Sequence, residues 1–251
     1  MIQAVTFDWW NTVALTTTDQ DRRLRELRID RLLKARPGFP GRREDLLRAY
    51  DLQTAFLQES WGRNVEPRPE AQMEAFLRFA GVDGAEAALK TAVSEAFGGA
   101  LLEIPPALFP HIADTLERLR GENLMVGMVS NTGRTWGRHL RQIQDRLGIG
   151  RFFDVRVFSD EVGARKPNPD IFRAALGELG LPPERVVHVG DDVDADVAGA
   201  RGVGMRAVWF NARRTGHRPG YGQGPDATTA RADAQIHDHA ELAAILKGWR
   251  R

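Results

Sequence analysis

The sequence predicts an α/β protein, a doubly wound and mostly parallel sheet interrupted once by an all-helical insertion. Three observations carry that expectation. Short apolar runs that stop at polar turn residues recur along the chain, at Ala4 to Phe7, Leu124 to Val129, Val155 to Phe158 and Val186 to Val189. From Pro110 onward, helical patterns alternate with these runs, as they do when right-handed crossovers cover both faces of a parallel sheet. Between the first run and the second, by contrast, the spacing is helical throughout and no strand pattern intervenes.

Taken in order, Ala4-Val5-Thr6-Phe7 stops at Asp8 and is followed by Trp9-Trp10-Asn11-Thr12. A buried strand here leaves Asp8 at its carboxyl end, the edge outside which open parallel sheets bind ligands. An Asp in that position also has a plain structural use, capping the turn that follows. Residues then recur with a helical period: Leu24, Leu27 and Leu32; Leu46, Tyr50, Thr54, Leu57 and Trp61; Met73, Phe76, Leu77 and Ala80; and Leu89, Val93, Ala96 and Phe97. That is the spacing of helices with one buried face. Pro105-Pro106 ends the series, since neither residue continues a helix. The division that follows is a Rossmann-like core of residues 1–15 and 105–251 around a helical domain of residues 16–104.

Beyond it the expected elements are a helix through Ile112, Leu116 and Leu119; the strand ending at Ser130-Asn131; a helix through Leu140 and Ile143; the strand at Val155; and a loop carrying Lys166-Pro167-Asn168-Pro169. A helix through Ile171, Ala175 and Leu179 leads to the strand that stops at Gly190-Asp191-Asp192. Weaker strands at Arg206 to Phe210 and Ala234 to Ile236 and a closing helix at Leu242 to Leu246 complete the chain. Asn211 to Arg231, rich in Gly, Arg and Thr, reads as an exposed loop.

Composition narrows the function classes. In 251 residues, 42% hydrophobic content is enough for a sizeable core, and a net charge of +1 gives no electrostatic reason to expect nucleic acid or an anionic membrane as partner. Absence of cysteine excludes a thiolate nucleophile, disulfides and Cys-ligated zinc. The start, Met1-Ile2-Gln3, lacks the features of a secretory leader, and no apolar run approaches the roughly 18 residues of a membrane span, so the expected location is cytoplasmic. No feature encodes an oligomeric state.

Parallel strands put their carboxyl ends on one edge, so Asp8, Ser130 and Asp191-Asp192 are expected to meet there. Each alone has a bland explanation as a turn or helix-cap residue, and Lys166 as a solvated one. Their joint placement is what distinguishes them. In this order, Asp8 to Thr12, Ser130-Asn131, Lys166 and Gly190-Asp191-Asp192 with Asp196 resemble the four motifs of the haloacid dehalogenase-like hydrolase superfamily. The helical insertion resembles that family's cap domain, with hinges near Leu15 to Thr18 and Glu103 to Pro106. The resemblance implies that Asp8 is the nucleophile forming a covalent aspartyl intermediate, and that Ser130, with Asn131 and Trp10 nearby, contacts the transferring group. It further implies that Lys166 ties that group to Asp8, that Thr12 belongs to the catalytic set, and that Mg2+ is held by Asp8, Asp191 and the Trp10 carbonyl with support from Asp192 or Asp196. Charge arithmetic agrees: a carboxylate attacking a phosphate faces repulsion that a hard cation and a lysine relieve, and clustered carboxylates without a cation raise one another's pKa.

One departure matters. Phosphatases of the family carry a second Asp two residues after the nucleophile as acid and base; here that residue is Trp10. An aromatic residue there is dehalogenase-like, because a halide leaves without a proton. The leading expectation is nonetheless a phosphatase acting on a small phosphorylated metabolite, for example one with an easily departing leaving group such as an acyl phosphate. Hydrolysis of a small 2-halo acid, with a cap arginine such as Arg22, Arg23 or Arg25 receiving its carboxylate or halide, is the alternative. Two further readings are carbon–phosphorus cleavage through Lys34 or Lys90 and a non-catalytic metal- and phosphate-binding member. Trp9, Tyr50 and Trp61 are either substrate-reading or packing residues; His188 is expected in the core, and His237 and His239 in solvent.

Overall fold

The computed structural model describes residues 1–15, 17–82, 84, 86–211 and 232–249. Most of the loop expected from Asn211 to Arg231, and Thr16 in the first expected hinge, lie outside the described residues.

Among the described residues, six strands form one wholly parallel sheet: β1 (Ala4–Phe7), β2 (Met125–Ser130), β3 (Val155–Phe158), β4 (Val186–Gly190), β5 (Arg206–Phe210) and β6 (Ala234–Ile236), in the order β3-β2-β1-β4-β5-β6. Alternation decides which core each side chain joins. Val5 and Phe7 of β1, Val126 and Met128 of β2, and Val187 and Val189 of β4 enter one apolar layer. Ala4, Val129 and Val186 enter the other. Because both faces are covered, the strands read as continuous apolar runs and not as alternating ones.

The first layer is closed by α5 (Ile112–Gly121), α6 (Gly137–Arg146) and α10 (Leu242–Trp249), through Leu116, Ile143 and Leu246 among others. The second is closed by α8 (Pro169–Leu179) and the short α9 (Gly199–Gly202). Helix α8 starts where the sequence says it must. Pro169 supplies the fixed φ of a first turn, the Asn168 side chain accepts from the Asp170 amide at 2.9 Å, and Gly180, at φ 64°, ends it.

Between β1 and β2 the described residues contain helices and no strand: α1 (Thr18–Ala35), α2 (Arg43–Gly62), α3 (Pro69–Phe79), α4 (Ala87–Gly98) and a 3-10 turn over Gly99–Leu102. They share an apolar cluster of their own, built on Ile29, Leu32, Leu46, Phe76 and Phe97, and Trp136 from the sheet-bearing part packs into it. A four-residue helix α7 (Ser159–Val162) precedes the Lys166 loop. Among the described residues, no helix is long and apolar enough to cross a membrane.

Candidate active site

Asp8 stands where the strand order turns back, with β2 on one side of β1 and β4 on the other. Ligands of open α/β sheets bind in the crevice at such a switch point. Its amide donates to the Val189 carbonyl at 2.9 Å, so the carboxyl group sits directly above the sheet edge. The chain then doubles back: Val13 and Ala14 donate to the Trp9 carbonyl at 3.0 and 2.8 Å, and Asn11, at φ 55°, donates to the Ala14 carbonyl at 2.7 Å. Asn is among the few non-glycine residues that take this left-handed backbone cheaply.

Lys166, distant in sequence, reaches the same point. Its Nζ donates to Asp8 Oδ1 at 2.6 Å, to Asp196 Oδ1 at 2.6 Å and to the Val129 carbonyl at 2.8 Å, which uses all three ammonium protons. Asn131 holds that loop in register, accepting from the Lys166 amide at 2.7 Å and donating to its carbonyl at 3.1 Å. Asp196 is further held by the Asp192 amide and by His188, each at 3.0 Å. The approach to β4 is so close that a Cβ on Gly190 would lie 2.1 Å from Asp196 Cγ, so glycine is required there. Asp191, next in sequence, accepts from Thr12 Oγ1 at 3.4 Å. Asp192 caps the following π-helical turn, accepting from the amides of Asp194 and Ala195, both at 2.9 Å. Ser130 is fully buried, and its hydroxyl donates to the Asn131 carbonyl at 3.2 Å.

Asp8, Asp191 and Asp196 each place one carboxylate oxygen within 4.8 Å of the others. Burial pushes Asp8 up to about 7 despite the pull of Lys166. Asp191 is raised well above the carboxylate range by burial and by the charges of Asp8 and Asp196, and Asp192 to about 6 by burial and Asp196. Burial also acts on Asp196, but Lys166 and His188 overcome it and hold this carboxyl below its ordinary range. Lys166 is raised, its two carboxylates outweighing burial. The cluster therefore holds more buried carboxyl groups than its lysine alone keeps ionised. An all-oxygen donor set of this kind fits a hard divalent cation. Asp196 already accepts from Lys166, His188 and the Asp192 amide, three of the roughly four positions that a carboxylate offers.

Over this edge lies a cavity of about 710 Å3, within the range of small-molecule sites. Asp8, Asn131, Lys166, Asp191 and Asp196 form its floor; Leu24 and Arg28 of α1, Trp61 of α2, and Arg134 and Arg165 are on its walls. Trp10 is also on the wall, its Nε1 donating to the Asn131 carbonyl at 3.1 Å and its ring edge-on to Trp9.

Several expectations are corrected. Arg22, Arg23 and Arg25 do not face this cavity: Arg22 pairs with Asp19, Arg25 with Glu26 and Asp51, and Arg23 borders a separate groove. One helical turn on, Arg28 does. Lys90 pairs with Glu74 on the surface, Lys34 is exposed, and neither lines the cavity. Of the two readings open for the aromatic residues, Trp9 and Tyr50 take the packing one, Trp9 wholly buried under the loop and Tyr50 inside the helical cluster. His239, expected in solvent, is buried, stacks on Phe210 and bonds the Thr12 carbonyl at 2.8 Å. Its apolar surroundings push its pKa down to about 4. The helix-start position suggested exposure, but the closing helix folds back beneath the Asp8 loop. His188 is a core residue as expected, though one bonded to the site through Asp196.

Glu66, Arg165, Arg28 and Arg134 were not singled out in the sequence. Glu66, between α2 and α3, is buried and accepts from Ser159 Oγ at 2.6 Å, Arg165 at 2.5 Å and Trp61 Nε1 at 3.1 Å, tying the helical part to the Lys166 loop. Arg165 stacks over Trp61 with 4.7 Å to the ring centroid. The adjacency of Arg165 to Lys166 was the one available signal.

Comparison with known proteins gives a consistent result. A family model described as a haloacid dehalogenase-like hydrolase matches residues 2–204. The 2-haloacid dehalogenase of Pseudomonas syringae pv. Tomato DC3000 superposes with a TM-score of 0.71 at 26% identity, covering 99% of this chain and 100% of that one. A HAD phosphatase from Thermococcus onnurineus superposes with a TM-score of 0.63 at 28% identity, covering 98% and 99%. In sequence, the glyceraldehyde 3-phosphate phosphatase of Methanothermobacter thermautotrophicus is 41% identical over 109 residues, 43% of this chain and 46% of the relative. The chain spans about half the length of the curated relatives it matches.

Proposed function

Because the chain belongs to the haloacid dehalogenase-like hydrolases, we propose that it is a magnesium-dependent phosphohydrolase of a small phosphorylated metabolite, with Asp8 as nucleophile. The observation that carries this reading is the buried trio of Asp8, Asp191 and Asp196, served by a single lysine. A dehalogenating site has no use for that surplus of carboxylates, and maintaining it without a cation would cost stability. The relatives named as phosphatases of glyceraldehyde 3-phosphate and phosphoglycolate point the same way.

In this reading Asp8 attacks phosphorus, the ester or anhydride oxygen departs with the bonding electrons, and an aspartyl phosphate forms. Water then attacks that intermediate, releasing inorganic phosphate and restoring the Asp8 carboxylate. Lys166, 2.6 Å from Asp8, orients the carboxylate, favours its ionised form against burial and offsets charge on the phosphoryl oxygens. Asn131 keeps Lys166 in place, Thr12 does the same for Asp191, and Ser130 serves a phosphoryl oxygen once its hydroxyl rotates from the Asn131 carbonyl. Mg2+, held by Asp8, Asp191 and the Trp10 carbonyl with Asp192 and Asp196 behind them, would supply electrostatic relief for an anionic nucleophile meeting an anionic substrate. The helical part, residues 16–104, acts as a cap that closes the cavity and excludes water.

Trp10 limits the leaving group. An indole is no acid, so substrates whose leaving group departs unprotonated, such as acyl phosphates, are favoured; a general acid is worth about two to four orders of magnitude in rate. The same anchored indole favours a second reading, hydrolysis of a carbon–halogen bond. Phosphate and halide release from a substrate panel, with Mg2+ and then with excess chelator, separates the two. Phosphate release that needs Mg2+ and vanishes in Asp8→Asn is the expected result. Chelator-insensitive halide release overturns it.

A further inference from the structure

Of the arginines that line the cavity among the described residues, Arg165 is paired with the buried Glu66, just as Arg25 and Arg31 outside it are paired with Asp51 and Glu26 and with Glu103. Arg28 and Arg134, both on the cavity wall, are different: among the described residues neither has a carboxylate within ion-pair distance. Arg28 donates to the Phe97 carbonyl at 3.0 Å, the Tyr50 hydroxyl at 2.7 Å and Thr135 Oγ1 at 3.2 Å. Arg134 donates to Gln53 Oε1 and Thr54 Oγ1, both at 2.7 Å, and to the Tyr50 carbonyl at 3.3 Å. Both guanidiniums approach the Tyr50 ring, at 6.0 and 4.0 Å from its centroid.

Two cations held side by side by neutral acceptors repel each other and are poorly solvated. Burial and the neighbouring Arg28 push Arg134 down to about 10, which still leaves it protonated at neutral pH. Asp51 acts on it only at longer range, and Asp21, also on the wall, acts on the neighbouring Tyr50 and forms no ion pair with either guanidinium. Such an arrangement costs the free protein stability and is repaid when an anion binds. Their side chains are fixed by stacking and by neutral hydrogen bonds, so little ordering is lost on binding. The cavity, at about 710 Å3, has room for more than a phosphoryl group above Asp8.

We propose that Arg28 and Arg134 form a receptor for a second anionic group on the substrate, so that the physiological substrate is a phosphorylated metabolite with a carboxylate or a second phosphoryl group at its non-reacting end. The receptor rests on the phosphohydrolase reading for the identity of the reacting end, while its own evidence is independent of the Asp8 chemistry. It also supplies what the missing acid takes away. Binding energy from the remote anion holds the reacting phosphoryl group in line with Asp8.

The test uses matched pairs: 3-phosphoglycerate against glycerol 3-phosphate for a carboxylate, and propanediol bisphosphate against propyl phosphate for a second phosphoryl group. Turnover by the wild-type protein and dissociation constants for Asp8→Asn, both with Mg2+, are measured with and without Arg134→Gln; Arg134→Lys is the charge-retaining control. A preference of about tenfold or more for the doubly anionic member of at least one pair is expected, lost in Arg134→Gln and partly kept in Arg134→Lys. Which pair shows it identifies the group. Equal kcat/KM within both pairs, or a loss in Arg134→Gln shared equally by both members, overturns the receptor and leaves the phosphohydrolase reading standing. An Arg134-dependent binding preference without any turnover does the reverse. Binding of none of the four compounds overturns both.

Discussion

The carboxyl edge of the sheet and the helical part above it handle charge in opposite ways. At the edge, Asp8, Lys166, Asp196 and His188 are taken out of water together, and each depends on the others for compensation. In the helical part, the pairs Arg22–Asp19, Arg63–Glu59 and Lys90–Glu74 stay in solvent, and each is dispensable alone. The difference makes the edge intolerant of single substitutions and the helical surface tolerant of them. Removing one buried partner exposes the desolvation cost of the rest, whereas solvent replaces a surface partner at almost no cost.

The comparison breaks most visibly at Lys166. Lys166→Met removes the one cation bonded to both Asp8 and Asp196 and leaves two buried carboxylates facing each other. Breaking a buried pair in this way costs about 3–5 kcal/mol, and phosphate release should fall below detection. Denaturant unfolding checks the first value. A loss under about 1 kcal/mol would mean that water already compensates the edge, and that it differs from the helical surface only in degree.

What the sequence made legible follows the same line. Asp8, Ser130, Asp191 and Asp196 were readable because each is tied by a few residues to a strand end, and parallel pairing brings strand ends to one edge whatever the side chains do. Lys166 was readable through its motif alone, since nothing local says that a loop after α7 curls back over β1. The cavity wall was not readable. Arg22, Arg25 and Arg28 sit on one helix within two turns, and which of them faces the cavity depends on how α1 rotates against Phe97 and Tyr50. That rotation is set by packing between distant segments, about which helical periodicity says nothing. His239 was misplaced for the same reason: burial by a terminal helix folding back leaves no local mark.

His239 tests whether a buried neutral group at the edge behaves like the buried charges. Its folded pKa of about 4 lies below the ordinary value of 6.5, so the unfolded chain binds a proton that the folded chain refuses. Its contribution to stability is complete above about pH 6.5 and is lost as pH falls from there through 4, up to about 3 kcal/mol in all. His239→Gln can still donate to the Thr12 carbonyl but does not titrate. The wild-type unfolding free energy should therefore drop more steeply than the variant's between pH 6.5 and 4. Parallel curves would mean that the imidazole is reached by water.

Glu66 sits on the seam between the two regions. Although it belongs to the helical part, it is buried, and burial raises its pKa against the pull of Arg165. Glu66→Gln keeps the shape and removes the charge opposite Arg165, for an expected loss of about 2 kcal/mol, intermediate between edge and surface. Since Arg165 precedes Lys166, KM should rise while the Lys166–Asp8 contact persists. A loss as large as that at Lys166 would place the seam energetically within the edge.

The smallest effect is the sharpest control. Arg22–Asp19 is 2.5 Å long, shorter than the 2.6 Å contact of Lys166 with Asp8, so if distance set the energy the surface pair would be the stronger. Both surface partners are more than half exposed, whereas the Lys166 and Asp8 side chains are 2% and 8% exposed. Water competes for the exposed pair, salt screens it, and the long Arg22 side chain must be ordered to form it. Arg22→Ala should therefore change unfolding free energy by about 0.5 kcal/mol or less, with the residual effect vanishing in high salt. A measured loss above about 1 kcal/mol would show that geometry outweighs desolvation in this protein, and the contrast between its two regions would then have to be explained by contact length.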